Sequence, residues 1–192
     1  MRLLLSILLL AAATLAHAAD PRVELRTNRG VIVLELYPDK APKTVANFLQ
    51  YVKDGHYDGT TFHRVIDGFM IQGGGFDRDF RQKQTRAPID IEAETSMKAG
   101  LKNDYGTIAM ARTSNPNSAT AQFFINVKNN DFLNFREASA QGYGYTVFGR
   151  VVSGMDVVEK VAKAPTGAGG PFPRDVPREA VLIEKATLLP EK

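Results

Sequence analysis

Short runs of alternating polarity, each closed by glycine, proline or asparagine, constrain this chain more than any other feature. Arg22–Thr27 sets Val23 and Leu25 between polar neighbours, and residues 31–37 do the same with Ile32, Leu34 and Leu36. An apolar residue at every second position turns one face of an extended strand into a core and the other toward water. Asn28-Arg29-Gly30 between the two runs reads as the turn of a β-hairpin. Strand-like segments return at 61–66, 69–72, 107–111, 122–127, 146–152 and 180–188. Only two stretches carry helical spacing. Pro42 suits a first helical turn, Val45, Phe48, Leu49 and Val52 follow at helical intervals, and Gly55 fits the stop. Met155, Val158, Val161 and Ala162 repeat the pattern after Ser153-Gly154. Residues 73–104 read as loop with short strand pieces, and 128–145 and 164–177 as loops, the last exposed and rich in glycine and proline. Many short strands with two helices predict a mostly-β domain built on an antiparallel sheet closed on itself.

The first residues follow a different rule. Arg2 precedes a nearly unbroken leucine run, alanines extend it, and Ala16-His17-Ala18 has the small-x-small form of a cleavage site. The apolar run is shorter than the ~20 residues that a spanning helix needs. Residues 1–18 are therefore read as a signal peptide cut between Ala18 and Ala19. Residues 19–192 are read as a single domain. Cleavage removes Arg2, so Lys plus Arg falls from 24 to 23 against 21 acidic groups, and the formal charge falls from +3 to +2. The mature chain is expected to be exported, with the periplasm as its compartment, to carry no membrane anchor, and to be a monomer by default. It has no cysteine, so its core alone must hold it together, and a chain of this length suffices for that.

Several chemistries are excluded by what is missing. Three histidines without cysteine or a paired-histidine motif predict no metal site. Gly73-Gly74-Gly75 is not followed by the lysine and hydroxyl of a phosphate loop and reads as a tight turn. The basic run Arg78, Arg81, Lys83, Arg86 is diluted by Asp77, Asp79, Asp90 and Glu92, which speaks for a solvated loop and against nucleic-acid binding. Glu92 and Glu94 do not form a general-acid pair. No nucleophile-elbow motif supports a serine hydrolase, and no cofactor is implied.

What remains is a different set. The block Phe62-His63-Arg64-Val65-Ile66-Asp67-Gly68-Phe69-Met70-Ile71-Gln72 joins one arginine and one glutamine to a phenylalanine and a methionine. Those side chains suit a shallow apolar pocket edged by a few directional hydrogen-bond donors. Tyr57-Asp58-Gly59-Thr60-Thr61 leads into this block. Gly106-Thr107-Ile108-Ala109-Met110-Ala111, Asn117-Ser118-Ala119-Thr120-Ala121-Gln122-Phe123-Phe124-Ile125 and Val147-Phe148-Gly149 follow it. These blocks, in this order, resemble those of the cyclophilin family of peptidyl-prolyl cis/trans isomerases over most of the mature chain.

The resemblance implies an eight-stranded antiparallel β-barrel, closed and capped by two α-helices, with an active groove on its outer face. It implies a catalytic arginine at Arg64 and a substrate-positioning glutamine at Gln72. It places the substrate-binding groove at Phe69, Met70, Ala111, Phe124 and Leu133, with the backbone of Arg112 bonding the bound peptide. Phe132 matches a position where many members carry tryptophan, and Tyr145 one where many carry histidine. Neighbours on a strand face opposite ways, so Phe123 is assigned to the core and Phe124 to the groove. By the same alternation His63 faces away from Arg64.

The implied function is isomerisation of Xaa-Pro bonds in proline-containing polypeptides, without metal or cofactor. Two other readings stay open at this stage. One is a proline-binding chaperone or assembly module of the same fold with little turnover, against which Arg64 counts. The other is an unrelated secreted β-barrel that binds a small ligand, which an empty lumen would favour.

Overall fold

The computed structural model describes residues 19–139 and 141–190; the expected leader, residues 1–18, lies outside them. The hairpin predicted at the start forms as β1 (Arg22–Thr27) and β2 (Gly30–Leu36). Val23, Leu25, Ile32, Leu34 and Leu36 are all buried, as the alternation requires. Helix α1 (Pro42–Lys53) opens with its proline in the first turn and buries Val45, Phe48, Tyr51 and Val52. β3 (Thr60–Thr61), β4 (Arg64–Ile66) and β5 (Met70–Gly73) follow. After them come α2 (Ala93–Lys98), β6 (Thr107–Met110), β7 (Phe123–Asn126) and β8 (Val147–Ser153). Helix α3 (Met155–Ala162), β9 (Thr166–Gly169), β10 (Phe172–Pro177) and β11 (Leu182–Leu188) complete the chain.

Nine strands form one antiparallel sheet in the order β3-β11-β1-β2-β8-β6-β7-β5-β4. Its two edges, β3 and β4, are separated in the chain only by Phe62 and His63. Two edges joined by two residues cannot be far apart, so the sheet must curl until they meet. If β3 and β4 are taken as one interrupted strand, the ring has the eight members that the sequence implies.

The interior of the barrel is solid. Phe48, Tyr57, Phe62, Phe123 and Phe148 are fully or almost fully buried there with the aliphatic faces of β1 and β2. Phe123 meets Phe48, Tyr57 and Phe62 edge-on, with ring centroids 5.6, 5.5 and 6.0 Å away, an arrangement that matches ring quadrupoles. Val158, Val161 and Ala162 of α3 join the same core. The lumen that a small-ligand barrel would need is occupied by side chains.

Two segments differ from the sequence reading. Residues 93–98, read as loop, form α2, a third helix too short for periodicity to reveal. Residues 164–177, read as exposed loop, form the β9–β10 ribbon outside the main sheet. Glycines that speak for a loop in isolation here serve a tight hairpin. Gly170, at its tip, has φ +52, and a Cβ there would lie 2.5 Å from the Phe80 ring.

One long-range contact sets the orientation of α1. Its cap position, Ala41, has no side chain able to bond the first amides. Glu92, at the start of α2, supplies the carboxylate instead. It accepts from the backbone N–H groups of Lys43 (3.0 Å) and Thr44 (2.8 Å) and from the Thr44 hydroxyl (2.7 Å). The carboxylate satisfies orphan donors and meets the positive end of the helix dipole.

Candidate active site

The pairing register assembles the site. Arg64 on β4 lies opposite Gln72 on β5, Gln72 opposite Phe124 on β7, and Phe124 opposite Ala109 on β6. Directly paired residues share a face of the sheet. Phe123 points into the barrel, so this rung points out of it. Met70, Ala109, Phe124, Leu133 and Val147 make a second buried cluster there, separate from the barrel core. A groove of about 370 Å³ opens over it.

Nine of the ten residues predicted for the site line that groove: Arg64, Phe69, Met70, Gln72, Ala111, Arg112, Phe124, Leu133 and Tyr145. Phe132 does not. It is 63% exposed and stacks on Phe69 at 5.6 Å, buttressing the rim from outside. Tyr145 meets the Phe124 ring edge-on at 5.5 Å and carries the Arg112 guanidinium over its face at 4.7 Å. The Arg112 side chain is engaged further, donating to the carbonyls of Gly144 (2.8 Å) and Thr113 (2.9 Å).

The polar edge of the groove is a relay of side chains. Arg64 Nη1 donates to Gln72 Oε1 at 3.4 Å, and Gln72 Nε2 donates to Gln122 Oε1 at 3.0 Å. The first bond is long and leaves most of the guanidinium donors available. No Asp or Glu lines the groove, so no carboxylate there competes for them. Gln122 escaped the sequence reading, although it stands two residues before Phe124 and shares its face by simple alternation. Among the described residues no group of three or more His, Asp or Glu could hold a metal ion.

Behind the apolar wall stands a set of buried asparagines that sequence patterns did not single out. Asn130 Nδ2 donates to the Phe69 carbonyl (3.0 Å) and to Asn126 Oδ1 (2.8 Å). Asn103 Nδ2 donates to the Leu133 carbonyl (3.1 Å), and its backbone N–H to Asn134 Oδ1 (2.7 Å). These bonds tie the irregular 128–145 segment to β5 and β7. A loop with little regular structure thereby presents Leu133 and Tyr145 in fixed positions.

His63 requires a correction. Alternation predicts its ring on the side away from Arg64, but His63 falls in the break between β3 and β4, where alternation lapses. It is 3% exposed and lines the groove beside Arg64, Phe76 and Phe172. Its ring packs on Phe76 at 4.7 Å and Phe172 at 5.3 Å, and Nδ1 has no hydrogen-bond partner. Burial lowers its pKa to about 4, so the ring is neutral near pH 7 and behaves as an aromatic wall. Burial also lowers His56, whose Nε2 lies 3.1 Å from the Gly74 carbonyl.

Residues 22–188 match the family described as cyclophilin type peptidyl-prolyl cis-trans isomerase/CLD. The chain belongs to the cyclophilin family. This cyclophilin is 57% identical over 166 residues to peptidyl-prolyl cis-trans isomerase B of Escherichia coli (strain K12), covering 86% of this chain and 98% of that protein. It is 46% identical to peptidyl-prolyl cis-trans isomerase A of Dickeya dadantii (strain 3937), over 96% and 94% of the two chains. Among solved structures it resembles a Cryptosporidium parvum cyclophilin type peptidyl-prolyl cis-trans isomerase, with a TM-score of 0.70 at 27% identity, covering 90% of this chain and 99% of that one.

Proposed function

We propose that this cyclophilin accelerates rotation about Xaa-Pro bonds in polypeptides bound along the outer groove, with Arg64 as the transition-state donor. A peptide bond resists rotation because the nitrogen lone pair is delocalised into the carbonyl. For Xaa-Pro both isomers are accessible, yet exchange takes roughly tens to hundreds of seconds. In the twisted state the lone pair localises on nitrogen. A donor aimed at that nitrogen binds the twisted state more strongly than the planar one, and this difference is what lowers the barrier. No covalent bond breaks, so the reaction calls for no nucleophile.

Met70, Phe124 and Leu133 form the floor that holds the proline ring. Arg64 stands at its edge with free donors. Gln72 and the Arg112 backbone hold the carbonyl side still while the chain turns. The observation that carries this reading is the shared outward rung, which sets one available guanidinium beside a buried apolar floor with no carboxylate in the groove. Of the two other readings, the filled interior speaks against the ligand-binding barrel, and the placement of Arg64 favours turnover over simple binding.

The test is isomerisation of a short Xaa-Pro peptide by exchange NMR. Arg64→Ala is expected to lower kcat/KM by about 10²- to 10³-fold, the usual cost of one preorganised donor, with an unchanged melting temperature. Arg64→Lys should not restore it, because a point charge lacks the planar fork. Chelator treatment should leave the rate unchanged. Near-normal turnover by Arg64→Ala would remove the mechanism.

The leader pattern supports a place of work outside the cytoplasm, with exported, folding chains as substrates. Expression of the full chain in a bacterium, with mass measurement of the secreted product, checks this. A mature N-terminus at Ala19 is expected, and an uncut cytoplasmic chain would overturn it.

A further inference from the structure

The groove is longer than a proline pocket requires. Its apolar floor occupies one end, where Met70 pairs with Asn126 and Phe69 adjoins. The Arg64–Gln72 rung crosses the middle. Beyond that rung the lining changes to three rings from three separate parts of the chain: His63, Phe76 and Phe172. Phe76 and Phe172 meet edge-on at 5.1 Å, and both pack on His63. Phe172 comes from the β9–β10 ribbon, which is not part of the barrel ring.

That ribbon is held firmly. Phe80 lies against the backbone of Gly169 and Gly170, so tightly that a side chain at Gly170 would collide with it. Its ring also reaches Phe172 at 6.1 Å. Phe80 itself adopts φ +59, a conformation that non-glycine residues avoid at some cost. The chain therefore tolerates strain at Phe80 in a position where its ring braces Phe172. A brace of this kind has no function in closing the barrel, which is complete without β9 and β10.

We propose that His63, Phe76 and Phe172 form a second apolar subsite, which receives a bulky apolar or aromatic side chain flanking the substrate proline and so sets sequence preference. The subsite lies one residue from Arg64 in the chain, within reach of the neighbours of a bound proline at about 3.3 Å per extended residue. Its walls carry no charge, since the buried His63 ring is neutral near pH 7. It offers contact area and ring edges, and no ion-pairing group. Phe172 is the specificity-determining residue because it alone is delivered by the separate β9–β10 ribbon.

This inference rests on the outer groove being where the peptide sits. The experiment compares kcat/KM for peptides with Phe, Leu, Glu or Gly on either side of the proline, using wild type, Phe172→Ala and Phe172→Leu. Wild type is expected to favour Phe or Leu over Gly on one side by about tenfold, the usual discrimination of an apolar pocket. Phe172→Ala should collapse that ratio toward one, and Phe172→Leu should restore much of it. An unchanged ratio, or a uniform fall for every peptide, would overturn the subsite. Arg64→Ala run on the Gly-flanked peptide tests the groove separately: normal turnover there would remove the groove reading itself, whatever Phe172 does. Thermal melts on each variant keep loss of fold distinct from loss of preference.

Discussion

Gln122 turns a pair of polar side chains into an oriented relay. The Gln72 amide has two ends, and its role depends on which end faces Arg64. The guanidinium has donors only, so it takes Oε1, and donation from Nε2 to Gln122 Oε1 at 3.0 Å anchors the other end. Gln122→Ala leaves the Gln72 amide held only by its long bond from Arg64. The loss of one net hydrogen bond, about 1 kcal/mol, should lower kcat by roughly fivefold, with KM for an Xaa-Pro peptide nearly unchanged. Measuring kcat and KM separately checks this, since a purely structural role would appear as a shifted melting temperature instead. Arg64, Gln72 and Phe124 were legible in the sequence because ordered blocks pointed to them. Gln122 was not, because a lone glutamine on a strand has many bland explanations and only the Gln72 contact distinguishes it.

The elements are held by contacts that local sequence does not encode. Helix α1 carries its proline and apolar stripe openly, but its cap comes from Glu92, 48 positions beyond Thr44. Removing that carboxylate leaves a buried amide and hydroxyl at Thr44 and a part-buried amide at Lys43 without their partner. Glu92→Ala should therefore destabilise the protein by about 2–4 kcal/mol, and denaturant titration measures it. Turnover per folded molecule should stay close to wild type, because Glu92 does not line the groove. A loss below about 0.5 kcal/mol would show that the carboxylate is dispensable as a cap. Short helix α2 and the β9–β10 ribbon escaped periodicity for a related reason. Helix α2 spans less than two turns and β10 shows no alternation of burial, and each is stabilised by what it packs on: α2 through Glu92 at its start, the ribbon through Phe80.

The buried histidine ties stability of the whole molecule to pH. The folded-state pKa of His63 lies near 4, below the unfolded value of about 6.5. Between those values the unfolded chain binds the extra proton, so stability rises with pH through the window and is lost as pH falls through it. The loss approaches roughly 3 kcal/mol once the pH nears 4. Melting curves from pH 7 down to pH 4.5 should show a steady fall in midpoint. His63→Phe, which keeps a ring and removes the ionisation, should flatten that slope. Equal slopes for the two proteins would assign the fall to other groups.

The sequence by itself determined which faces would be buried, where α1 and α3 would form, and that Phe123 and Phe124 would part to opposite sides. These follow from period-two and helical spacing, which act over a few residues and need no knowledge of distant partners. Only the tertiary structure decided that Phe62 and His63 interrupt a strand and so turn a histidine into the groove. It also decided that Phe132 lies on the rim, and that Phe76 and Phe172 meet across nearly a hundred positions of chain. The physical reason is closure of the sheet. When a barrel brings its two edges together, residues far apart in sequence come into contact, and no local pattern records which ones will touch.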